Sequence, residues 1–238
     1  MAAAREISKS RAKKIGKVLR HAPGTMEEVE DYMAAIDDLD AYRASFQSPL
    51  VRINNGIRHY ARQAGVEARV TQRLKRLPTI VDKLSRVAGL DLSRMQDIGG
   101  CRAVTEDIHE LQKLRTVLER AWGADMPRQT DYVAEPRESG YRAIHLVVKR
   151  DDKPIEIQLR SAQMHSWAEF IEGLSGALGE NYKQDGSSVV QDLGKSLSVR
   201  YRCEEESLPE PEGLDATINQ QLADVNAALK AHRTRRDN

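Results

Sequence analysis

Hydrophobic residues recur along this chain with two periods, one helical and one extended. From Met26 onward, Val29, Met33, Ile36, Leu39, Tyr42 and Phe46 follow every three or four positions, which predicts a helix seam, and Thr25 stands where an N-cap is needed. Pro49 opens a further helix running to Gly65. Beyond it, short β-like segments (Ala68 to Arg73, Asp97 to Val104) alternate with helical ones (Thr79 to Ala88, Glu106 to Trp122). The second of these helices carries Ile108, Leu111, Leu114, Leu118 and Ala121. The middle of the chain is thus expected to be α with β.

The period changes to two between Tyr141 and Arg160. Tyr141 to Val148 and Pro154 to Arg160 alternate, and the polar stretch Lys149 to Lys153 between them predicts a hairpin. Ile144, Leu146, Val148, Ile155, Ile157 and Leu159 then share one face. Tyr141 and His145 fall on the opposite face of the first strand, and Glu156, Gln158 and Arg160 on that of the second. A face so polar is either wet or a site.

Met164, Trp167, Ala168, Ile171 and Leu174 mark a helix that packs back on the core, and another is expected over Val189 to Cys203. Glu204 to Gly213, acidic and broken by two prolines, reads as a linker before a last helix from Leu214 that ends in the basic run His232 to Arg236. The organisation expected is a helical region at 1–65, a core at 66–203, a linker at 204–213 and a terminal helix at 214–238.

Charge adds one feature. The chain is nearly neutral, with 37 basic and 36 acidic residues, but Arg5, Lys9, Arg11, Lys13, Lys14, Lys17 and Arg20 face the single acid Glu6 in the first 20 residues. That arm carries +6 and leaves −5 for the rest. If helical, the arm sets Ile15, Val18 and Leu19 on one side as a docking stripe, with its lysines in water. The 238 residues, 40% hydrophobic and 31% charged, suit one sizeable domain with helical additions. Cys101 and Cys203 have no metal-like spacing, and no apolar run approaches the roughly 18 residues of a membrane span. A reducing, cytoplasmic setting is expected, with no membrane partner.

Three places carry candidate chemistry. Arg73, Lys75, Thr79 and Lys83 pass from a strand end into a helix start; Thr79 and Lys83, four apart, share a helical face near the positive end of its dipole, a cradle for polyphosphate or else a solvated turn. Asp97 enters the apolar segment DIGGCRAV, whose glycines allow close approach. Glu156 sits mid-strand between Ile155 and Ile157, where a carboxylate needs water, an ion or a base. Asp97 and Glu156 on neighbouring strands would suffice for magnesium, which favours one or two carboxylates plus phosphate oxygens. Two motifs are set aside. Gly194-Lys195-Ser196 ends like a phosphate-binding loop, but Val189 stands where its first glycine belongs, and no histidine is followed by aspartate or spaced for a helical zinc site.

Taken in order, four blocks resemble the synthetase domain of RelA/SpoT-homologue proteins over Arg73 to Lys183: RLKRLPTIVDK, DIGGCR, DYVAEPRESGYRAIH and EIQLRSAQMHSWAE. The resemblance implies an α+β fold, a nucleotidyltransferase-like mixed β-sheet flanked by helices, with N- and C-terminal helical extensions. It implies a pyrophosphokinase moving the pyrophosphoryl group of ATP to the ribose 3′-hydroxyl of GDP or GTP. In that reading Arg73 stacks on adenine, Lys75, Thr79 and Lys83 hold ATP phosphates, and Arg102 supports the nucleotide. Asp97 binds magnesium and Glu156 is the general base or second metal ligand. Tyr141 stacks on the acceptor guanine, with Arg137, Ser139 and His145 around its phosphates and sugar, and the strand face by itself lets Gln158 and Arg160 align phosphate or ribose hydroxyls.

The match departs from the family's long enzymes at Thr130, where a basic residue is frequent, and at Ala143, where a serine stands. Those enzymes also carry a hydrolase domain with a histidine-aspartate pair, so the resemblance is to a stand-alone synthetase. Its small members divide between alarmone synthetases and toxins that use the same chemistry on the 3′ end of tRNA. The arm Arg5 to Arg20 could track an RNA backbone, and the toxic branch would add a neutralising antitoxin as partner. A silent nucleotide-binding module is the third reading, and the presence of both Asp97 and Glu156 speaks against it.

Overall fold

A computed structural model of the protein describes residues 7–179, 182 and 188–237. Three helices, α1 (Lys9–Val18), α2 (Met26–Ala44) and α3 (Gln47–Gln63), precede the sheet. Then come β1 (Ala68–Leu74), α4 (Leu77–Arg86), a 3-10 turn (Leu92–Arg94), β2 (Gly99–Thr105), α5 (Ile108–Trp122) and β3 (Arg128–Asp131). The hairpin β4 (Ile144–Arg150) and β5 (Lys153–Ser161) leads into α6 (Ala162–Leu178), α7 (Val189–Glu206) and α8 (Leu214–Asp237). The five strands order as β1-β2-β5-β4-β3, with β2 and β5 parallel and the other neighbours antiparallel. This is the mixed sheet with helical extensions expected from the sequence, and no described helix is long and apolar enough to cross a membrane.

The hairpin register follows the alternation. Val148 pairs with Ile155, Leu146 with Ile157 and Ile144 with Leu159, and all six are fully buried. On the same face pack Ile53 and Ile57 of α3 and Leu111, Leu114 and Leu118 of α5. A single-face apolar stripe fixes register, because a slip by one residue would turn all six into water. The turn is tighter than the sequence indicates. It is Asp151–Asp152 alone, both in the left-handed region (φ 50° and 59°), which matches the twist of a two-residue hairpin. Tyr141, expected on the first strand, precedes it instead.

Other boundaries differ for packing reasons. In α1 the docking stripe is Ala12, Ile15 and Leu19, while Val18 is exposed. In α2 Thr25 caps as expected, its Oγ1 accepting from Glu28 N (3.2 Å), but Met33 is exposed and burial begins only at Ala35. The helix after β5 does not join the sheet core beyond Met164. Trp167, Ala168 and Ile171 instead form a second core with Val190 and Leu193 of α7 and Leu214, Ile218 and Val225 of α8. The acidic stretch read as linker from Glu204 is helical through Glu206 and ends at Ser207 in the left-handed region (φ 52°). Arg5 of the basic arm and Lys183 lie outside the described residues, as does the side chain of Arg236.

Candidate active site

The sheet face away from α3 and α5 carries the polar alternates of every strand. Strand pairing sets Arg73 beside Gly100, Gly100 beside Glu156, Arg102 beside Gln158, and Gln158 beside His145. Two cavity lobes open on this face and share Asp97, Glu156 and Gln158. The first, of about 200 Å³, adds Arg73, Lys75, Gly100 and Arg102. The second, of about 460 Å³, adds Lys83, Arg94, Arg128, Tyr132, Arg137 and His145. Asp97 and Glu156, distant in sequence, thus line common walls because β2 and β5 are parallel neighbours.

Asp97 lies just before β2, opposite the loop that follows β1. Lys75 N donates to Ile98 O (2.8 Å) and Arg43 Nε to Lys75 O (2.8 Å), so the loop is pinned from both sides. Asp97 Oδ2 accepts from Lys75 Nζ (3.0 Å) and Lys83 Nζ (2.8 Å), whereas its buried Oδ1 has no partner. Burial alone would raise this carboxyl, but the Lys83 hydrogen bond and the charges of both lysines outweigh it and hold it below the usual aspartate range. A carboxylate lowered on folding contributes stability above its unfolded value and loses that contribution as pH falls through the folded value. Urea titrations are therefore expected to find Asp97→Asn less stable than wild type near neutrality, with the gap closing below about pH 4. A constant gap across that range would refute the ion-pair account.

Glu156 belongs to a closed ring of hydrogen bonds. His145 Nδ1 lies 3.2 Å from Glu156 Oε1, and His145 Nε2 lies 2.7 Å from Tyr141 Oη. Arg160 Nη2 donates to Tyr141 Oη (3.0 Å) and Gln158 Oε1 (3.1 Å), and Gln158 Nε2 donates back to Glu156 Oε2 (3.0 Å). Burial pushes the Glu156 carboxyl up and Asp97 adds to that, but the His145 and Gln158 contacts prevail and its pKa lies below the usual range. Glu156 is thus ionised near neutral pH and oriented at both oxygens.

The remaining predicted residues divide. Arg73, Lys75 and Arg102 line the first lobe, Lys83, Arg137 and His145 the second, and Gln158 both. Arg160 is buried beneath the face, with Nε and Nη1 unpartnered. Tyr141 is only 6% exposed, its ring flanked by Tyr132, Trp167 and the Arg160 guanidinium. Thr79 is exposed and lines neither lobe, because α4 enters the site one turn later, at Lys83. Ser139 is buried against Gly194 of α7, away from both lobes.

Sequence reasoning passed over Tyr132. Its half-buried ring lines the second lobe, stands edge-on to His145 (5.3 Å between centroids) and carries the Arg137 guanidinium 4.6 Å above it. The local signal was Asp131, whose Oδ1 accepts from Val133 N and Ala134 N (both 2.9 Å) and turns the chain there. Tyr132, rather than the enclosed Tyr141, is the aromatic surface open to the lobe.

A model of the region found in RelA/SpoT proteins matches residues 72–186. The GTP pyrophosphokinase YjbM of Bacillus subtilis is 32% identical over 150 residues, 58% of this chain and 68% of that protein. The chain belongs to the RelA/SpoT family. An uncharacterised protein of Mycobacterium tuberculosis is 36% identical over 121 residues, but the chain spans only 44% of that relative's length. Among solved structures, small alarmone synthetase 1 of B. subtilis bound to its product pppGpp superposes with a TM-score of 0.60 at 23% identity, over 72% of this chain and 94% of that one. A GTP pyrophosphokinase family protein of Streptococcus pneumoniae gives 0.57 at 19% identity, over 77% and 96%. These likenesses agree with the mixed sheet found in this RelA/SpoT chain.

Proposed function

We propose that this RelA/SpoT chain is a pyrophosphokinase transferring the pyrophosphoryl group of ATP to the ribose 3′-hydroxyl of GDP or GTP, with AMP leaving. The observation that carries the reading is the pair of lobes meeting at Asp97 and Glu156, one floored by Gly100 and rimmed by Arg73, Lys75 and Arg102, the other walled by Tyr132, Arg137 and His145. A two-substrate in-line displacement needs two nucleotides oriented across one charged centre. In this reading Arg73 and Arg102 hold the donor, and Lys75 and Lys83 turn from Asp97 to its phosphates. Arg137 and Tyr132 receive the acceptor.

Magnesium fits the donors present. Asp97 Oδ1 is buried without a partner, Glu156 is ionised beside it, and two carboxylates are enough when phosphate oxygens complete the shell. Among the described residues no group of three or more His, Cys, Asp or Glu side chains could hold a metal ion, so substrate oxygens would have to complete the shell. When bound, the ion would offset charge on the transferred group. Glu156, with its lowered pKa, is a weak store for a full proton, so its part is to orient the attacking hydroxyl or hold the metal.

A second reading, transfer to the 3′ end of tRNA, is favoured by one observation. A groove of about 600 Å³ between α1 and the loop after α4 is lined by Lys13, Lys17, Arg20, His21 and Arg94 against the single acid Asp91, and it meets the second lobe at Leu90 and Arg94. The arm is fixed there by an Arg11–Asp38 ion pair and by Arg20 donating to Val87 O (3.1 Å) and Leu90 O (2.5 Å). Lys13, Lys17 and Arg94 have no acidic partner among the described residues. The test is transfer from γ-labelled ATP to GDP, GTP or total tRNA. Label on GDP or GTP is expected. Label on tRNA alone, weakened by salt and by neutralising Lys13 and Lys17, would move the acceptor to the second reading, and label on none of them would overturn both.

A further inference from the structure

The loop that walls the second lobe is held from behind by a helix that lies wholly beyond the family-matched region. Between Tyr132 and Ala143 the chain folds on itself through Tyr132 N to Ala143 O (2.9 Å), Arg137 N to Tyr141 O (3.1 Å) and Gly140 N to Arg137 O (2.8 Å). Its front presents Tyr132 and Arg137 to the cavity. At its back Gly140, in the left-handed region (φ 86°), lies so close to α7 that a Cβ there would stand 2.9 Å from both Gly194 O and Ser198 Cβ. Gly194 O also accepts from Trp167 Nε1 (2.7 Å), which ties the contact to α6.

One side chain locks this seam. Arg142, adjacent to Tyr141 of the hydrogen-bonded ring, points away from the cavity and is 3% exposed. Its Nη1 donates to Glu205 Oε2 and its Nη2 to Glu206 Oε1, each at 2.9 Å, at the last turn of α7. Arg142 Nε is buried without a partner, so Glu205 and Glu206 carry the whole compensation for this buried guanidinium, and the last turn of α7 must stay where it is for the loop to keep its path.

We infer that Arg142, gripped by Glu205 and Glu206, is a positioning residue that sets acceptor binding by holding the Tyr132–Arg137 wall against α7. It touches no substrate and acts through the loop. The donor lobe is built from β1, the loop before α4, β2 and β5, and shares no residue with the seam. Tyr141 of this loop reaches Glu156 and Gln158 of the donor lobe only through the hydrogen-bonded ring, so loosening the clamp falls chiefly on the acceptor. The inference rests on the second lobe being the acceptor side.

The experiment compares wild type, Arg142→Gln, Arg142→Lys and Glu205→Gln/Glu206→Gln by steady-state transfer and by hydrogen–deuterium exchange of peptides covering 132–143. In Arg142→Gln and the double variant, KM for the guanosine acceptor is expected to rise roughly tenfold or more while KM for ATP changes less than about twofold. Arg142→Lys keeps the charge and should recover part of the loss. Exchange in 132–143 should quicken while that of β1 and α4 stays as in wild type. Equal rises in both KM values, an unchanged acceptor KM, or unaltered loop exchange in folded variants would overturn the clamp. If wild type transfers to no guanosine nucleotide, the acceptor assignment fails, and loop exchange still decides whether Arg142 holds the wall.

Discussion

Glu156→Gln is expected to lower transfer turnover by ~10² or more, the order lost when one charge-stabilising group is removed from a preorganised site. The substitution keeps the shape and one accepting oxygen, so the β5 backbone and the ring through His145, Tyr141, Arg160 and Gln158 have no steric reason to move. What disappears is a charge beside the orphaned Asp97 Oδ1, together with one of the two oxygens that accept from His145 and Gln158. Asp97→Asn should cost a similar factor and also release Lys75 and Lys83 from their counter-charge. In both variants a non-hydrolysable ATP analogue should still bind in the absence of metal, because Arg73, Lys75 and Arg102 remain. Initial-rate assays at saturating substrates read the effect. Turnover within a few-fold of wild type in either variant would remove these carboxylates from the chemistry.

Phe46→Ala should destabilise the fold by about 3–5 kcal/mol, the usual range for emptying a buried aromatic site. Phe46 is fully buried at the junction of α2 and α3, where its ring meets Tyr42 edge-on with 5.4 Å between centroids. It also backs the start of β2: a Cβ on Gly99 would lie 3.5 Å from Phe46 Cδ1 and 2.8 Å from Ile155 Cδ1. The glycine lets Ile155 and Phe46 close over the strand just beyond Asp97, so the lost ring would leave a void under the site as well as in the core. Urea unfolding measures the difference, and a loss under about 1 kcal/mol would mean that the core collapses into the gap.

Particular residues explain why some of the site was legible in the sequence and some was not. Glu156 stood out because a carboxylate between two isoleucines in an alternating run contradicts the local environment unless the face is used, and the strand period assigned that face correctly. Lys75 and Lys83 could be grouped with Asp97 only loosely, since nothing local says that α4 delivers Lys83 and not Thr79. Tyr141 was legible as a site residue, but its enclosure was not. Burial of its ring depends on Trp167 and Arg160, which reach it from α6 and β5.

The sequence by itself determined the periods, hence the elements, the buried face of the hairpin, the polar face opposite and the family to which the blocks belong. Those are properties of neighbouring residues, set by sterics and by the need to bury one side of each element. Only the tertiary structure decided which lobe each cation lines, that Tyr132 is open while Tyr141 is closed, that Glu204 to Glu206 are helix, and that the last turn of α7 pairs with Arg142 behind the Tyr132–Ala143 loop. Each of these depends on contacts between segments far apart in the chain, where packing and the pairing of buried charges outweigh local preference.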